Sequence, residues 1–260
     1  HPSLGDGKLH NKWLEAEDKD PTKVNAEESI TTYTSEAGNI TTVKADVKIS
    51  KETVGEKTIN KAIITIKDEN IPEILKQAKE NESEAIILDA NVKEANADKV
   101  MVEISKKTAE DILKETKADL VIALPETELK LSRDALKEIV SQAKGDKLII
   151  GIEKVKDSLD DLKKLTGESA DIFTLTVKGG DREIHNFGNG IVTVRKAITD
   201  KLENKKVAAV YMPEVYIPEN NPLVVMNGKR IVIDKKNFYE FTTNHFSDFA
   251  LVDADEAGIE

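Results

Sequence analysis

The stretch LVIALPETELKLSRDALKEIVSQAKGDKLIIGI, Leu120 to Ile152, decides the fold class. It opens with an apolar run, breaks at Pro125, and resumes as "ELKLS" with every second residue apolar. That alternation is the signature of a half-buried strand. The period then changes. Leu136, Ile139, Val140 and Ala143 fall at i, i+3, i+4 and i+7, one face of a helix. Ser132 stands where an N-cap belongs, Asp134 complements the helix dipole, and Gly145 supplies a stop. "KLIIGI" then returns to strand. Strand, turn, strand, helix and strand in one run predict an α+β chain.

The same grammar extends upstream. In "SKKTAEDILKETK" the stripe is Ala109, Ile112, Leu113 and Thr116; in "NIPEILKQAK" it is Ile71, Ile74, Leu75 and Ala78. Asn70 or Asp68 is placed to cap the latter helix, and Pro72 sits in its first turn, where a missing N–H costs nothing. Residues 70–153 thus read as a loose helix–strand–strand duplication. Before them, "SITTYTS", "NITTVKADVKIS" and "INKAIITIKD" are β-rich, with a turn at Gly55. Downstream, "DSLDDLKKLTG" predicts a short helix with Ser158 as cap and Gly167 as stop. Everything after it reads as strand, including a hairpin on Asn227-Gly228.

The expected division is an N-terminal arm over 1–24, an α+β part over 25–155, a β-rich part over 156–252 and a tail over 253–260. The first part is expected to be a mostly antiparallel sheet with helices on one face. The second is expected to be sandwich-like, with a core the two parts could share. Trp13 and Leu14 are the residues that would dock the arm.

Composition narrows the function classes. The 260 residues are 39% apolar, only 4% aromatic and 33% charged, with a net charge of -11. An acidic surface repels nucleic acid and anionic membranes, so neither is an expected partner. The absence of cysteine excludes disulfides, thiolate metal sites and a cysteine nucleophile. No apolar run reaches membrane-spanning length. The chain opens on His1-Pro2 with neither a Met nor a signal peptide, which reads as a mature fragment.

No cofactor or metal motif stands out. "KGGDR" and "NFGNG" match no phosphate-binding fingerprint and lie between strands, so they read as turns. His1, His10, His185 and His245 show no metal-ligand spacing. Asp253 and Asp255 begin a calcium-loop pattern that Ala257 breaks. Glu126 and Glu128 are read as solvated turn residues. Carbohydrate sites use aromatic platforms, for which Trp13, Tyr33, Tyr211 and Tyr216 are the candidates.

One tripeptide carries chemistry: His245-Phe246-Ser247, inside "TTNHFSDFALV". Ser247 could attack the Phe246 carbonyl with His245 as base, an N-to-O acyl shift that would cut the chain between Phe246 and Ser247. It matches the cleavage site of nucleoporin-type autoproteolytic domains. The structural alternative is a final strand anchored by Phe246 and Phe249. A kink belongs there, because the alternation breaks: Phe246 and Ala250 point one way, Phe249 and Leu251 the other.

The order of segments resembles a module of large Gram-positive surface proteins that carry surface-layer-homology repeats. The resemblance covers roughly 28–252. It rests on "INKAIITIKDENIPEILKQAK", "VEISKKTAEDI", the opening stretch continued to "EKV", "FGNGIVTVRKAI" and the closing "FYEFTTNHFSDFALV". Lys196-Ala197 departs from it, where relatives often carry Pro and an aromatic residue. The resemblance implies an extracellular, non-catalytic spacer or presentation module on a bacterial cell surface. Its partners would be other modules of the same protein, or a host protein or glycan. It transfers no catalytic residue, and His-Phe-Ser is ordinary for that family's last strand.

Overall fold

The computed structural model describes residues 29–155, 160–213 and 223–259. Strand β1 (Ile30–Ser35) pairs with β2 (Gly38–Lys44), and β3 (Asp46–Val54) with β4 (Lys57–Thr65) across the Gly55 turn. Three helix–strand units follow. Helix α1 (Ile71–Glu80) leads to β5 (Ala85–Asp89) and β6 (Lys99–Ser105). Helix α2 (Lys106–Glu115) leads to β7 (Asp119–Ala123) and β8 (Thr127–Leu131), and α3 (Arg133–Gln142) leads to β9 (Lys147–Lys154). After α4 (Asp160–Thr166) come β10 (Asp171–Gly179), β11 (Arg182–Glu183), β12 (Val192–Ala197) and β13 (Val207–Met212). The last four are β14 (Val224–Val225), β15 (Gly228–Ile233), β16 (Lys236–Thr243) and β17 (Asp248–Asp253).

The helices form where the stripes place them. Of the stripe positions within the helices, Ile74 and Ala78, Ala109 and Ile112, and Leu136 and Ile139 are buried. Ser132 Oγ accepts from Ala135 N at 3.1 Å, and Ser105 Oγ from Thr108 N at 3.0 Å. These caps satisfy N–H groups that the helix cannot. Asn70 differs from expectation: its side chain makes no capping bond, because Asp68–Asn70 already forms a 3₁₀ turn running into α1. The Ser158 cap lies outside the described residues.

The strands form two sheets. The first runs β1-β2-β5-β7-β8-β12-β16-β15; the second runs β14-β13-β17-β10-β9-β6-β4-β3, with β11 beside β10. The fold is therefore sheet-rich α+β, but the mostly antiparallel expectation is not matched. Both sheets are mixed, with β2–β5, β5–β7 and β4–β6 parallel. The cause is the path of the chain. From β2 it crosses to the second sheet for β3 and β4, returns through α1 to β5, parallel to β2, and later through α2 to β7, parallel to β5, whereas α3 leads to β9, antiparallel to β6. The helices consequently do not lie on one face of a single sheet: α3 touches β7 and β8 of the first sheet and β10 of the second.

Strands from before and after residue 155 pair within both sheets, as β8 with β12 and β9 with β10. One buried apolar cluster extends from Ile30 through α1, α2 and α3 to Leu251. At its centre Phe173 and Phe249 of the second sheet meet Phe241 of the first, with centroids 5.4–6.4 Å apart.

Asn227-Gly228 is not a hairpin turn. β14 pairs with β13, whereas β15 pairs with β16, so this dipeptide carries the chain between sheets. Gly228 is small for another reason: a Cβ there would stand 2.4 Å from the Tyr239 ring. The hairpin turn is Asp234-Lys235, with φ of 53° and 66°. Two positive φ values are what a type I′ turn demands.

Candidate functional site

His245-Phe246-Ser247 lies where the chain leaves β16 of the first sheet for β17 of the second. The expected continuous strand is thus two strands with a crossing between them, which accounts for the broken alternation. The crossing is tightly held. Thr243 Oγ1 accepts from His245 N at 3.2 Å and donates to His245 O at 2.8 Å. Phe246 N donates to His185 O at 3.1 Å, and Leu175 N to Ser247 O at 3.1 Å. Phe246 is buried edge-on to Phe187, with centroids 5.0 Å apart.

The two reactive side chains do meet: His245 Nδ1 is 2.9 Å from Ser247 Oγ. The imidazole stands edge-on to Tyr211 at 4.5 Å and stacks over Phe249 at 5.9 Å. Burial pushes its pKa below the usual 6.5, which favours the neutral ring. A neutral Nδ1 without a proton accepts the Ser247 hydroxyl hydrogen, as a general base would. Such a hydroxyl–imidazole contact is what an acyl transfer by Ser247 would require. Among the described residues no non-Gly φ at this crossing is positive and no peptide bond is cis, so the backbone holds no recorded strain there.

Compared with models of known protein families and with curated proteins, the sequence finds no match.

The other candidates do not gather into one site. Tyr33 lies on edge strand β1 of the first sheet and Tyr211 on β13 of the second. Trp13 and Tyr216 lie outside the described residues. His185 faces Glu183 at 3.4 Å on the surface. Asp253 Oδ1 accepts from Asp255 N at 3.0 Å, closing a turn. Among the described residues no three His, Asp or Glu side chains converge as a metal-ligand set. An open groove of about 950 Å³ runs between α1 and α2, with Ile71, Pro72 and Leu75 on its floor.

Sequence reasoning missed a charged network. Glu128, read as a solvated turn residue, is buried on β8, whereas Glu126 does sit in the turn, 3.6 Å from Lys154. Register sets Glu128 and Glu240 directly opposite Arg195 on β12, one on each side. Arg195 Nη1 is 3.4 Å from Glu128, and Arg195 Nε is 3.0 Å from Glu240. Lys130 lies 3.5 Å from Asp119 beside this triad. Burial raises the Asp119 pKa and lowers that of Lys130, each partner opposing the shift of the other. On the inner face of β12, Lys196 reaches across to Asp171 at 3.0 Å and lies over the Phe173 ring. Lys196 thus carries a cation that bridges the two sheets. A usable signal existed: "TELKL", "TVRKA" and "YEF" each put a charge at a strand position that alternation assigns to the non-core face.

Proposed function

We propose that this chain is a non-catalytic spacer or presentation module of a bacterial cell-surface protein, acting outside the cell. One observation carries the reading. The last strand, β17, is hydrogen-bonded on both sides, between β13 and β10, and shares its core with β1. Tension applied through the two ends must shear both ladders of β17 and tear Phe249 and Leu251 from the shared core. On this reading the strands after residue 155 serve as a sandwich-like clamp around the three phenylalanines. The resemblance of its ordered segments to a module of surface-layer-homology proteins is what suggests the cellular setting. Pulling single molecules by their ends tests it. The expected trace has one cooperative rupture, and stepwise unravelling at low force would sink the spacer role.

The His245–Ser247 contact favours a second reading, self-cleavage. Ser247 Oγ would bond to the Phe246 carbonyl carbon while its proton passes to His245. The C–N bond would break as the Ser247 nitrogen takes that proton, and water would then hydrolyse the ester. Denaturing intact mass beside Ser247→Ala decides it. A parent shortened from Ser247 onward and restored in the variant means cleavage; a single 28.7 kDa species in the parent removes this reading.

A further inference from the structure

We propose that two copies of this chain join edge to edge through β3, about a two-fold axis at Ser50. β3 ends the second sheet, and among the described strands β4 is its neighbour on one side only. It is a nine-residue strand, paired without a bulge from Asp46 to Val54 and free of proline. All of it but Val47 and Glu52 is exposed, Ile49 by 51% and Val54 by 61%. An edge this long and regular is a template for another strand. β6 meets β4 only from Lys61 to Thr65, so the hairpin from Ser50 to Asn60 projects as a two-stranded ribbon. Such a ribbon is marginal in water and gains from further strands.

The amides that face the open edge follow from one hydrogen bond. Asn60 N donates to Asp98 Oδ2 at 3.0 Å, on the side away from β3. Asn60 stands opposite Lys51, so this pair exchanges no ladder bonds. Lys51 therefore aims its N–H and C=O outward, and by alternation so do Val47, Ile49 and Thr53. Among the described residues these groups meet no backbone partner on the open edge.

The charges select the occupant. Lysines on an edge turn foreign strands away, and β3 carries Lys48 and Lys51. An antiparallel copy centred on Ser50 answers them. It sets Lys48 opposite Glu52 of the second copy, and symmetry repeats the pair. Both pairs fall at non-hydrogen-bonded positions, where facing side chains come closest. Among the described residues Lys48 has no ion pair, and Glu52 has only Lys99, at 3.5 Å. Val47 then exchanges its outward amide groups with Thr53, and Ile49 with Lys51, so every outward group from Val47 to Thr53 is used. The two Ile49 side chains become diagonal neighbours across the axis. Neighbouring registers fail. Shifted by two residues one way, Asp46 meets Glu52; shifted the other way, Lys51 meets its own copy. A slip of one residue would set the outer face of one copy level with the inner face of the other. The two-fold pair is closed, because it occupies both β3 edges.

Sedimentation velocity of the full chain should show a mass that rises with concentration from 28.7 kDa toward twice that value and no further. Lys48→Glu and Glu52→Lys each set like charges opposite one another at both pairs, and each should stay monomeric with the circular dichroism of the parent. Mixed in equal amounts they restore both pairs and should dimerise again. The chain has no cysteine. Ser50 meets its own copy at a Cα separation of about 4.5 Å, within reach of a disulfide. Under mild oxidation Ser50→Cys should form a covalent dimer several-fold faster than Lys178→Cys on β10. A parent that stays monomeric at every concentration overturns the proposal. So does a mixture no more dimeric than its two components, or equal crosslinking of the two cysteines. Species larger than the dimer also overturn it, since they would seat β3 on a different edge. Should either charge variant lose the parent spectrum, the Ser50→Cys rate decides.

Discussion

Arg195→Met tests the charged network most directly. The guanidinium is 1% exposed and held between two carboxylates that register places on either side of it. Met fills a similar volume, so the change removes charge and hydrogen bonds rather than bulk. Glu128 and Glu240 are then left buried without their common partner, and among the described residues Lys229, 3.8 Å from Glu240 and itself exposed, remains as a cation beside that carboxylate. Breaking a buried ion pair from one side costs about 3–5 kcal/mol, because the remaining charge is uncompensated. For a chain of this size each kcal/mol moves Tm by about 2–4 °C, so the expected fall is roughly 6–20 °C. Urea unfolding followed by circular dichroism should show a lower midpoint at unchanged slope. Replacing all three residues by apolar ones of similar volume should recover most of that loss, since a well-packed apolar triad is often as stable as the ionic one. A loss below about 1 kcal/mol for Arg195→Met is the range of a solvated surface pair. It would refute the buried network.

Three further outcomes are expected. Phe249→Ala empties the meeting point of Phe173, Phe241 and Tyr211 and should cost about 3–5 kcal/mol in urea unfolding, with Phe249→Leu costing less. Lys235→Gly relieves a left-handed lysine at φ 66° in the β15–β16 turn, and should raise the urea midpoint slightly, by up to about 1 kcal/mol. The pH dependence of stability should contain a His245 contribution. Its folded pKa is below 6.5, so the unfolded chain takes up the proton first as pH falls, and stability drops from about pH 6.5 downward. His245→Gln should flatten that part of the curve, and an unchanged curve would show that the ring is not desolvated.

The parts of the fold legible in the sequence were those fixed by neighbours in the chain. Three helices follow from apolar stripes, and Ser105 and Ser132 cap theirs because a cap is a contact across three residues. The Gly55 turn is equally local. Asn227-Gly228 misled for the complementary reason. The dipeptide permits a tight hairpin, but whether the strands on either side pair with each other depends on which sheet captures them. Here Val224 and Val225 join β13 while Gly228 packs under Tyr239. A turn preference is local, and the ladders of β14 with β13 and of β15 with β16 override it.

The candidate site divides along the same line. Two residues apart in sequence, His245 and Ser247 were bound to be near one another, and a kink was legible in the broken alternation. What the alternation could not reveal is that the kink is a change of sheet. Neither could it assign Glu128 to a buried triad, because a charge on the second face of a strand is equally consistent with water. The triad exists because β12, far along the chain, enters between β8 and β16 and brings Arg195 level with both glutamates. Long-range register therefore determines which charges are buried. It also explains why the crossing at His245 is so heavily hydrogen-bonded. A chain that moves between sheets there must satisfy the amides of His245 and Phe246 outside any ladder, and Thr243 Oγ1 and the His185 carbonyl accept those bonds. That requirement is structural, and within the crossing it shapes His245 Nδ1 and Ser247 Oγ stand 2.9 Å apart.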